Sequence, residues 1–206
     1  MIEKYLLEKT RLVRQMPGER NYHIFYQLLR GAPSSLLAAL HLDDGHNMGF
    51  EYLSNGEMDS SSDDANDFAV TGSCLSCVGI DEGLQQHVFE LLAGILHLGD
   101  VEFLTGSGGG AVEEVSVVSE ETLPQLQRAA TLFGLDPQEL LLNLVQQNMY
   151  VNGSVIVKQQ TIIQVSPLSC ISCRLRMWRL MTIHSCRRGI SGIPSRRRSI
   201  ISCSAG

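Results

Sequence analysis

The stretch GERNYHIFYQLL, residues 18–29, decides the first structural prediction for this chain. Its apolar side chains recur at i, i+3, i+4 and i+7, namely Tyr22, Phe25, Tyr26 and Leu29. This spacing places them on one face of an α-helix and predicts that they belong to a core, not to a binding site. Gly31 ends the periodic run and Pro33 cannot continue it, so the helix should stop there.

The same reasoning, applied outward, predicts further helices. Asp81 is a suitable N-cap for the strongest one, residues 82–98, whose apolar stripe comprises Val88, Phe89, Leu92, Ile95 and Leu96. The preceding segment, residues 63–78, is compatible with a helix that Gly72 weakens.

Two more helices are predicted near the middle of the chain. The first covers residues 122–133 and stops at Gly134. The next begins at Asp136, an N-cap that is followed by Pro137 at the first helical position and by Glu139 at the third. This combination is a complete helix-start signal.

Short strands complete the prediction. Residues Tyr5–Val13 are compatible with a strand, and Val101–Phe103 with a shorter one. Asn152-Gly153 lies between two β-branched runs and predicts a two-residue hairpin turn. Gly106–Gly110 is predicted to be a flexible loop. Together, these helices and strands predict a fold class that is mostly α with a few short β-strands.

Three long strings resemble the motor head of myosins. The first joins residues 5–14 to the opening stretch, and the second leads from residues 78–80 to LAGILHLGDVEF at residues 92–103. The third is NGSVIVK at residues 152–158. Their order and separations also match the family, so the resemblance covers roughly residues 2–164.

The resemblance implies an incomplete core from a head of the P-loop NTPase superfamily. The chain would lie in the upper 50-kDa subdomain, with Tyr5–Val13 as a strand of the central transducer sheet. It would be a fragment of an actin-based, ATP-driven cytoskeletal motor, and neither a membrane span nor a nucleic-acid partner is expected. Actin filaments would be its partner, and the cytoplasm and cytoskeleton, as part of a myosin complex, its location.

By the same resemblance, two loops would face actin. The candidate residues of the first loop are Leu104, Gly106, Gly108 and Gly110, and those of the second are Tyr150, Asn152, Gly153 and Lys158. The alternative for both loops is a solvated connection without a contact of its own. We expect His23 and His97 to pack in the fold or to cap helices, not to bind a metal.

A nucleotide site is not predicted. Phosphate binding by a P-loop needs a glycine-rich turn that ends in Gly-Lys-Ser/Thr. The three lysines, Lys4, Lys9 and Lys158, do not follow a glycine, and neither nucleotide switch of the family has a counterpart here. The chain alone is therefore predicted to lack catalytic and cofactor-binding residues and ATPase activity, although the intact family head uses Mg-ATP.

The charge divides the chain into two parts. All 22 acidic residues lie in residues 1–165 beside half of the 16 basic residues, whereas residues 166–206 hold eight arginines, nine serines and four cysteines. We expect a partial motor domain over 1–165 and an unrelated tail over 166–206, which is disordered or an artefact of the gene model. The tail arginines lack aromatic interleaving, so no nucleic-acid partner is predicted.

Two other patterns carry less weight. Cys74-x-x-Cys77 and Cys170-x-x-Cys173 have zinc-ligand spacing, but the 92 residues between them exceed that of an ordinary finger, and no metal is predicted. Gly106-x-Gly108-x-x-Ala111 needs a helix directly after it to bind a dinucleotide. Residues 112–118 are acidic and β-branched instead, so the glycine-rich residues 106–111 are interpreted as a flexible surface loop.

Two functions remain open at this point. The chain is a fragment of a motor head, or it is a stand-alone, non-catalytic helical interaction module derived from one. No run of 18 apolar residues predicts a membrane span, and Met1–Lys4 does not open a secretory signal. The apolar stripes of residues 82–98 and 136–147 need further elements to cover them, which predicts poor solubility for the isolated chain.

Overall fold

The computed structural model describes residues 9–43, 49–55, 63–107, 114–151 and 154–159. Seven α-helices, two β-hairpins and two 3₁₀ helices, Glu51–Leu53 and Glu120–Thr122, are the regular elements of this described part. The helices are α1 Lys9–Val13, α2 His23–Gly31, α3 Ser34–Ala39, α4 Asp64–Cys77, α5 Glu82–Gly99, α6 Leu123–Phe133 and α7 Pro137–Val145. The strands are β1 Phe103–Ser107, β2 Glu114–Val118, β3 Gln146–Val151 and β4 Ser154–Gln159. The predicted class, mostly α with a few short strands, is confirmed.

Helix starts follow the predicted capping residues. The Asp81 carboxylate accepts a hydrogen bond from the backbone N–H of Leu84 at 2.9 Å, which caps α5. The Asp136 carboxylate accepts from the N–H groups of Gln138 and Glu139, both at 2.9 Å, at the start of α7. These bonds satisfy donors that have no partner inside the helix.

Two clusters of buried side chains form the core, and α5 contributes to both. The first cluster comprises Phe25, Tyr26, Leu28, Ala32, Leu40, Leu42, Phe50, Leu53, Phe89, Ala93 and Leu96. The second comprises Leu98, Val101, Val118, Leu126, Ala129, Ala130, Phe133, Leu135, Leu140 and Leu144. Of the periodic residues of the opening stretch, Phe25 and Tyr26 are buried in the first cluster, and Tyr22 and Leu29 are partly buried and pack against it, as predicted.

Glycines permit the closest approaches between elements. A Cβ atom on Gly31 of α2 would lie 2.4 Å from the Cβ of Phe68 on α4. A Cβ on Gly94 of α5 would lie 2.5 Å from Cε1 of Phe133 on α6. Real Cβ contacts are longer, so these two helix pairs need glycine to pack as they do.

The strand predicted over Tyr5–Val13 is wrong for residues 9–13, which form α1. Residues 5–8 lie outside the described part of the chain. The Gln15 side chain donates to the carbonyl oxygens of Arg11 and Leu12, and the Asn21 amide also donates to Leu12. These side chains satisfy carbonyl oxygens at the end of the helical turn, which a paired strand would have used in a ladder.

The second difference concerns the region after α5. The strand expected at Val101–Phe103 begins at Phe103 and continues to Ser107. The flexible loop expected at Gly106–Gly110 is wrong for Gly106 and Ser107, which belong to β1, and residues 108–110 lie outside the described part. Residues 114–118, for which no strand was predicted, form β2 and pair with β1. The β-branched residues there have a partner strand across the hairpin, and this pairing stabilises the extended conformation.

Candidate functional site

The first candidate surface is the hairpin of β1 and β2. Its register pairs Phe103 with Val118 and Leu104 with Val117. Val118 is buried in the second core cluster and Phe103 packs against that cluster, so this pair faces inward. Leu104 and Val117 face outward and remain 52% and 47% exposed. The hairpin therefore presents one apolar cross-strand pair to solvent.

Further hydrogen bonds hold the base of this hairpin in place. The backbone N–H of Ser119 donates to the carbonyl of Glu102 at 2.9 Å, directly beyond the last strand pair. The N–H of Glu102 donates to Oγ1 of Thr122, and that hydroxyl is also bonded to the carbonyl of Ser119. The exposed pair is thus carried by a fixed strand base, not by an unanchored loop.

The second candidate surface is the hairpin of β3 and β4. Its register pairs Tyr150 with Val155 and Val151 with Ser154, which leaves a two-residue connection as the Asn-Gly sequence predicts. Ile156 and Val157 are 51% and 56% exposed. Adjacent strand residues point to opposite faces, so neither face of β4 is covered at this point.

Four of the eight sequence-predicted actin-facing residues lie on the strands of these two hairpins. Leu104 and Gly106 lie in β1, Tyr150 lies in β3, and Lys158 is an exposed residue of β4 paired with Gln147. Gly108, Gly110, Asn152 and Gly153 lie outside the described residues. Lys158 is therefore a cation next to the exposed apolar residues of β4.

Helix α7 relates the two hairpins to each other. Its buried Leu140 and Leu144 belong to the core cluster that also contains Val118 of β2. At its other end α7 continues directly into β3 at Gln146. Helix α7 therefore shares a core cluster with the first hairpin and continues into the second. The two hairpins are separate sheets within the described part of the chain.

A charge cluster around the buried Asp64 was not predicted from the sequence. The Asp64 carboxylate at the start of α4 is bonded to the guanidinium groups of Arg20 at 2.7 Å and Arg30 at 2.9 Å. The Arg20 guanidinium also lies 4.0 Å from the ring centroid of Tyr26. These contacts join α2 and the segment before it to α4, so one buried carboxylate holds two guanidinium groups in a structural arrangement.

Of the two histidines that were expected to pack or to cap a helix, His97 packs in the core. His97 is buried, its Nε2 lies 3.0 Å from the carbonyl oxygen of Leu40, and its ring packs edge-on against Phe50. His23 is exposed at the first position of α2. His97 is thus a packed core histidine.

The described residues were compared with the requirements of a metal site and of a membrane-spanning helix. Within the described ranges no group of three or more His, Cys, Asp and Glu side chains could hold a metal ion. Cys74 and Cys77 are free and exposed, whereas Cys170 and Cys173 lie outside those ranges. The helices of the described part include none that is long and apolar enough to cross a membrane.

Comparison with known proteins decides the family. The family model of the myosin head, the motor domain, matches residues 1–170. The chain belongs to the myosin head family. The resemblance carried by residues 5–29, 78–103 and 152–158 is therefore confirmed, and the matched region contains both hairpins and every described helix.

Individual relatives agree with this family. Myosin-51 of Schizosaccharomyces pombe is 36% identical over 163 residues, which cover 78% of this chain and 10% of the relative. Myosin-4 of Saccharomyces cerevisiae is 37% identical over 158 residues, 76% of this chain and 10% of the relative. Myosin-1 of Arabidopsis thaliana is 37% identical over 163 residues, 79% of this chain and 14% of the relative. The chain spans about a tenth of the length of these curated relatives.

Proposed function

We propose that the chain is part of the upper 50-kDa region of an actin-based, ATP-driven motor head, and that its two hairpins contact actin filaments. The observation that carries the proposal is the set of exposed apolar residues on hairpins of a myosin-head chain, namely Leu104, Val117, Ile156 and Val157. Exposed apolar side chains on anchored strands gain free energy when a partner covers them. Lys158 adds a cation that would pair with acidic groups of that partner.

Cosedimentation of the 206-residue chain with filamentous actin tests this contact. The double substitution I156S/V157S should lower the bound fraction, because it removes the apolar area that the partner would cover. Val70→Ser is the matched control, since Val70 is 52% exposed on α4, outside both hairpins. Equal loss of binding in the control and the hairpin variant would contradict a hairpin contact.

Lys158 allows an independent electrostatic test. Lys158→Glu should weaken binding and reduce its dependence on salt concentration, since attraction between exposed charges is screened by ions. Binding of the unsubstituted chain should fall as potassium chloride rises from low to physiological concentration. Unchanged binding and unchanged salt dependence in the variant would remove Lys158 from the interface.

For nucleotide chemistry, we propose that the chain alone turns over no ATP. The residues that match the family supply scaffold and surface, and none of the three lysines follows a glycine in a P-loop pattern. Phosphoryl transfer needs backbone and lysine contacts to the phosphates together with a bound Mg²⁺. Mg-ATP turnover by pure chain above that of a mock preparation would disprove this proposal.

A stand-alone interaction module is the second candidate function. The observation that favours it is the pair of buried clusters. Each cluster buries at least ten apolar residues, and all of them come from this chain alone. In that case the chain would bind its partner without turnover. A monodisperse chain with a cooperative thermal transition supports the module, whereas aggregation of the chain supports a fragment whose core is incomplete.

The charge boundary at residue 165 supports a separate tail. We propose that residues 166–206 are not part of the motor fold, because they carry eight arginines without an acidic residue. For the motor-head part of the chain, we propose a location in the cytoplasm with the cytoskeleton. Transcript sequencing across codon 165 tests the tail, and an uninterrupted reading frame supported by transcripts would contradict an artefact.

A further inference from the structure

The C-terminal turn of α4 carries two thiols on one helix face. Cys74 and Cys77 are three residues apart, and both are free and exposed. Residues three apart on a helix are neighbours, with their Cβ atoms roughly 5–6 Å from each other. The two sulfur atoms can therefore reach one shared ion.

The turn that holds them is fixed by backbone hydrogen bonds. Gly79 adopts φ 86°, its N–H donates to the carbonyl of Ser76, and the N–H of Ile80 donates to the carbonyl of Leu75. This pattern is a Schellman motif, which ends a helix in a defined conformation. The Gln85 amide adds bonds to Oγ of Ser76 and to the carbonyl of Ile80, both at 2.9 Å.

The helical spacing disfavours a disulfide between the two thiols. A disulfide needs Cβ atoms about 3.5–4.5 Å apart, so closing one would distort the last turn and the bonds that fix it. A metal ion that binds two sulfurs at about 2.3 Å each spans up to roughly 4.6 Å between them. The separation on a helix therefore suits a bridging ion better than a direct bond.

The donor set selects the kind of ion. Residues 68–80 contain no Asp, Glu or His, so sulfur is the donor that this turn offers. Two donors do not complete the four-coordinate site that zinc requires. Thiolates favour soft ions such as Cu(I). Val70 and Val78, 52% and 56% exposed, lie one turn before and after Cys74, and their apolar surface favours an ion with little remaining hydration.

We propose that Cys74 and Cys77 form a two-thiolate site for a soft, low-coordinate ion of the Cu(I) class. Binding replaces the two thiol protons, which leave to solvent, by one ion shared between both sulfurs. This site is independent of the actin contact proposed above, because it uses α4 and neither hairpin. It also differs from the four-cysteine zinc site that the sequence argued against.

Alkylation of the reduced 206-residue chain with and without Cu(I) tests the site. Proteolysis before Asp67 and Asp81 releases residues 67–80, which contain these two cysteines and none of the other four. Stoichiometric Cu(I), supplied from a chromogenic Cu(I) chelator under anaerobic conditions, should protect both thiols of this peptide together. Protection of neither thiol, or of one alone, would overturn the proposal.

Substitutions distinguish a shared ion from two separate thiols. In C74S, Cys77 should lose protection and its apparent affinity for Cu(I) should fall by about 100-fold, because the second contact of a chelate is intramolecular. C170S/C173S is the matched control and should leave the protection of Cys74 and Cys77 unchanged. Full protection of Cys77 in C74S would show independent thiols and disprove the shared site. Unchanged circular dichroism of C74S excludes loss of α4 as the cause.

Discussion

Glycine has different consequences at different helix positions of this fold. Gly94 faces the Phe133 ring at a distance that excludes a Cβ atom, whereas the nearest atom to a Cβ on Gly72 would be Oε1 of Gln85 at 3.6 Å. The first glycine is required by packing between α5 and α6. The second has ordinary van der Waals room, so its cost is the low helix propensity of glycine alone.

Opposite effects on stability are therefore predicted for the two substitutions. Gly94→Ala should lower the free energy of unfolding by about 1–3 kcal/mol, because it overpacks the contact with Phe133. Gly72→Ala should raise it by about 0.5–1 kcal/mol, because alanine favours the helix. Urea unfolding followed by circular dichroism measures both values. Equal shifts in the two variants would contradict the packing explanation.

Asp64 is a buried carboxylate that the fold surrounds with two cations. Its side chain is 3% exposed and binds two guanidinium groups. Asp64→Asn keeps the shape but removes the buried negative charge that both guanidinium groups bind, so we expect a loss of about 3–5 kcal/mol in the free energy of unfolding. Asp67→Asn is the control, because Asp67 is exposed in the same first turn of α4. Its loss should stay within about 1 kcal/mol, and similar losses in both variants would contradict the argument.

One surface carboxylate has a shifted acidity. The side chain of Arg11 donates to Glu19 at 2.9 Å, and this hydrogen bond, together with one from the backbone of Met16, lowers the pKa of Glu19 below its ordinary 4.5. A lowered pKa means that the pair contributes stability above pH 4.5 and loses it as the pH falls through the folded-state pKa. Arg11→Gln should return the pKa of Glu19 toward 4.5 in an NMR titration. Arg14→Gln should leave it unchanged, and an equal change there would implicate general charge effects.

At the scale of elements, local signals predicted helices better than strands. The caps at Asp81 and Asp136 and the left-handed Gly134, φ 68°, mark helix ends where the sequence placed them. Strand β2 was missed, and α1 was predicted as a strand. A helix bonds to residues three or four positions away, whereas a strand depends on a partner that lies elsewhere in the chain.

Helix α7 provides a test of one such local signal. Asp136→Ala removes the acceptor for two backbone N–H groups and should lower the free energy of unfolding by about 1 kcal/mol. Asp136→Asn should recover most of this loss, because an amide oxygen still accepts hydrogen bonds. Thermal unfolding measures both variants. A loss in Asn equal to that in Ala would mean that charge, and not capping, stabilises this helix end.

For the whole molecule, the two core clusters coexist with uncovered hairpin residues. Ile156 and Val157 are half exposed on opposite faces of β4, and the described sheet of β3 and β4 has two strands with open edges. Open edges and exposed apolar residues promote association between copies. Helices α5 and α7 bury apolar residues in the two core clusters, so the stripes from which poor solubility was predicted are covered in part. The second hairpin is a different source of association.

Self-association of the chain should follow from this hairpin. I156S/V157S should reduce the aggregated fraction at equal protein concentration more than Val70→Ser does, although Val70 is similarly exposed. Analytical ultracentrifugation of the 206-residue chain in the absence of actin measures the difference. Equal improvement by both variants would assign aggregation to general surface hydrophobicity.

The sequence by itself determined helices α2, α4, α5, α6 and α7, the caps at Asp81 and Asp136, the Asn-Gly hairpin and the family, but not α1 or α3. These depend on residue spacing and on long strings of residues that need no knowledge of distant contacts. The sequence also indicated where the two candidate surfaces lie. Which of their residues are exposed was decided by the strand pairing. The tertiary structure decided which glycines are packed and that Asp64 pairs with Arg20 and Arg30, 44 and 34 positions away. It also decided that residues 9–13 are helical. The physical reason is that burial and charge pairing depend on which distant segments meet, and local patterns do not specify those meetings.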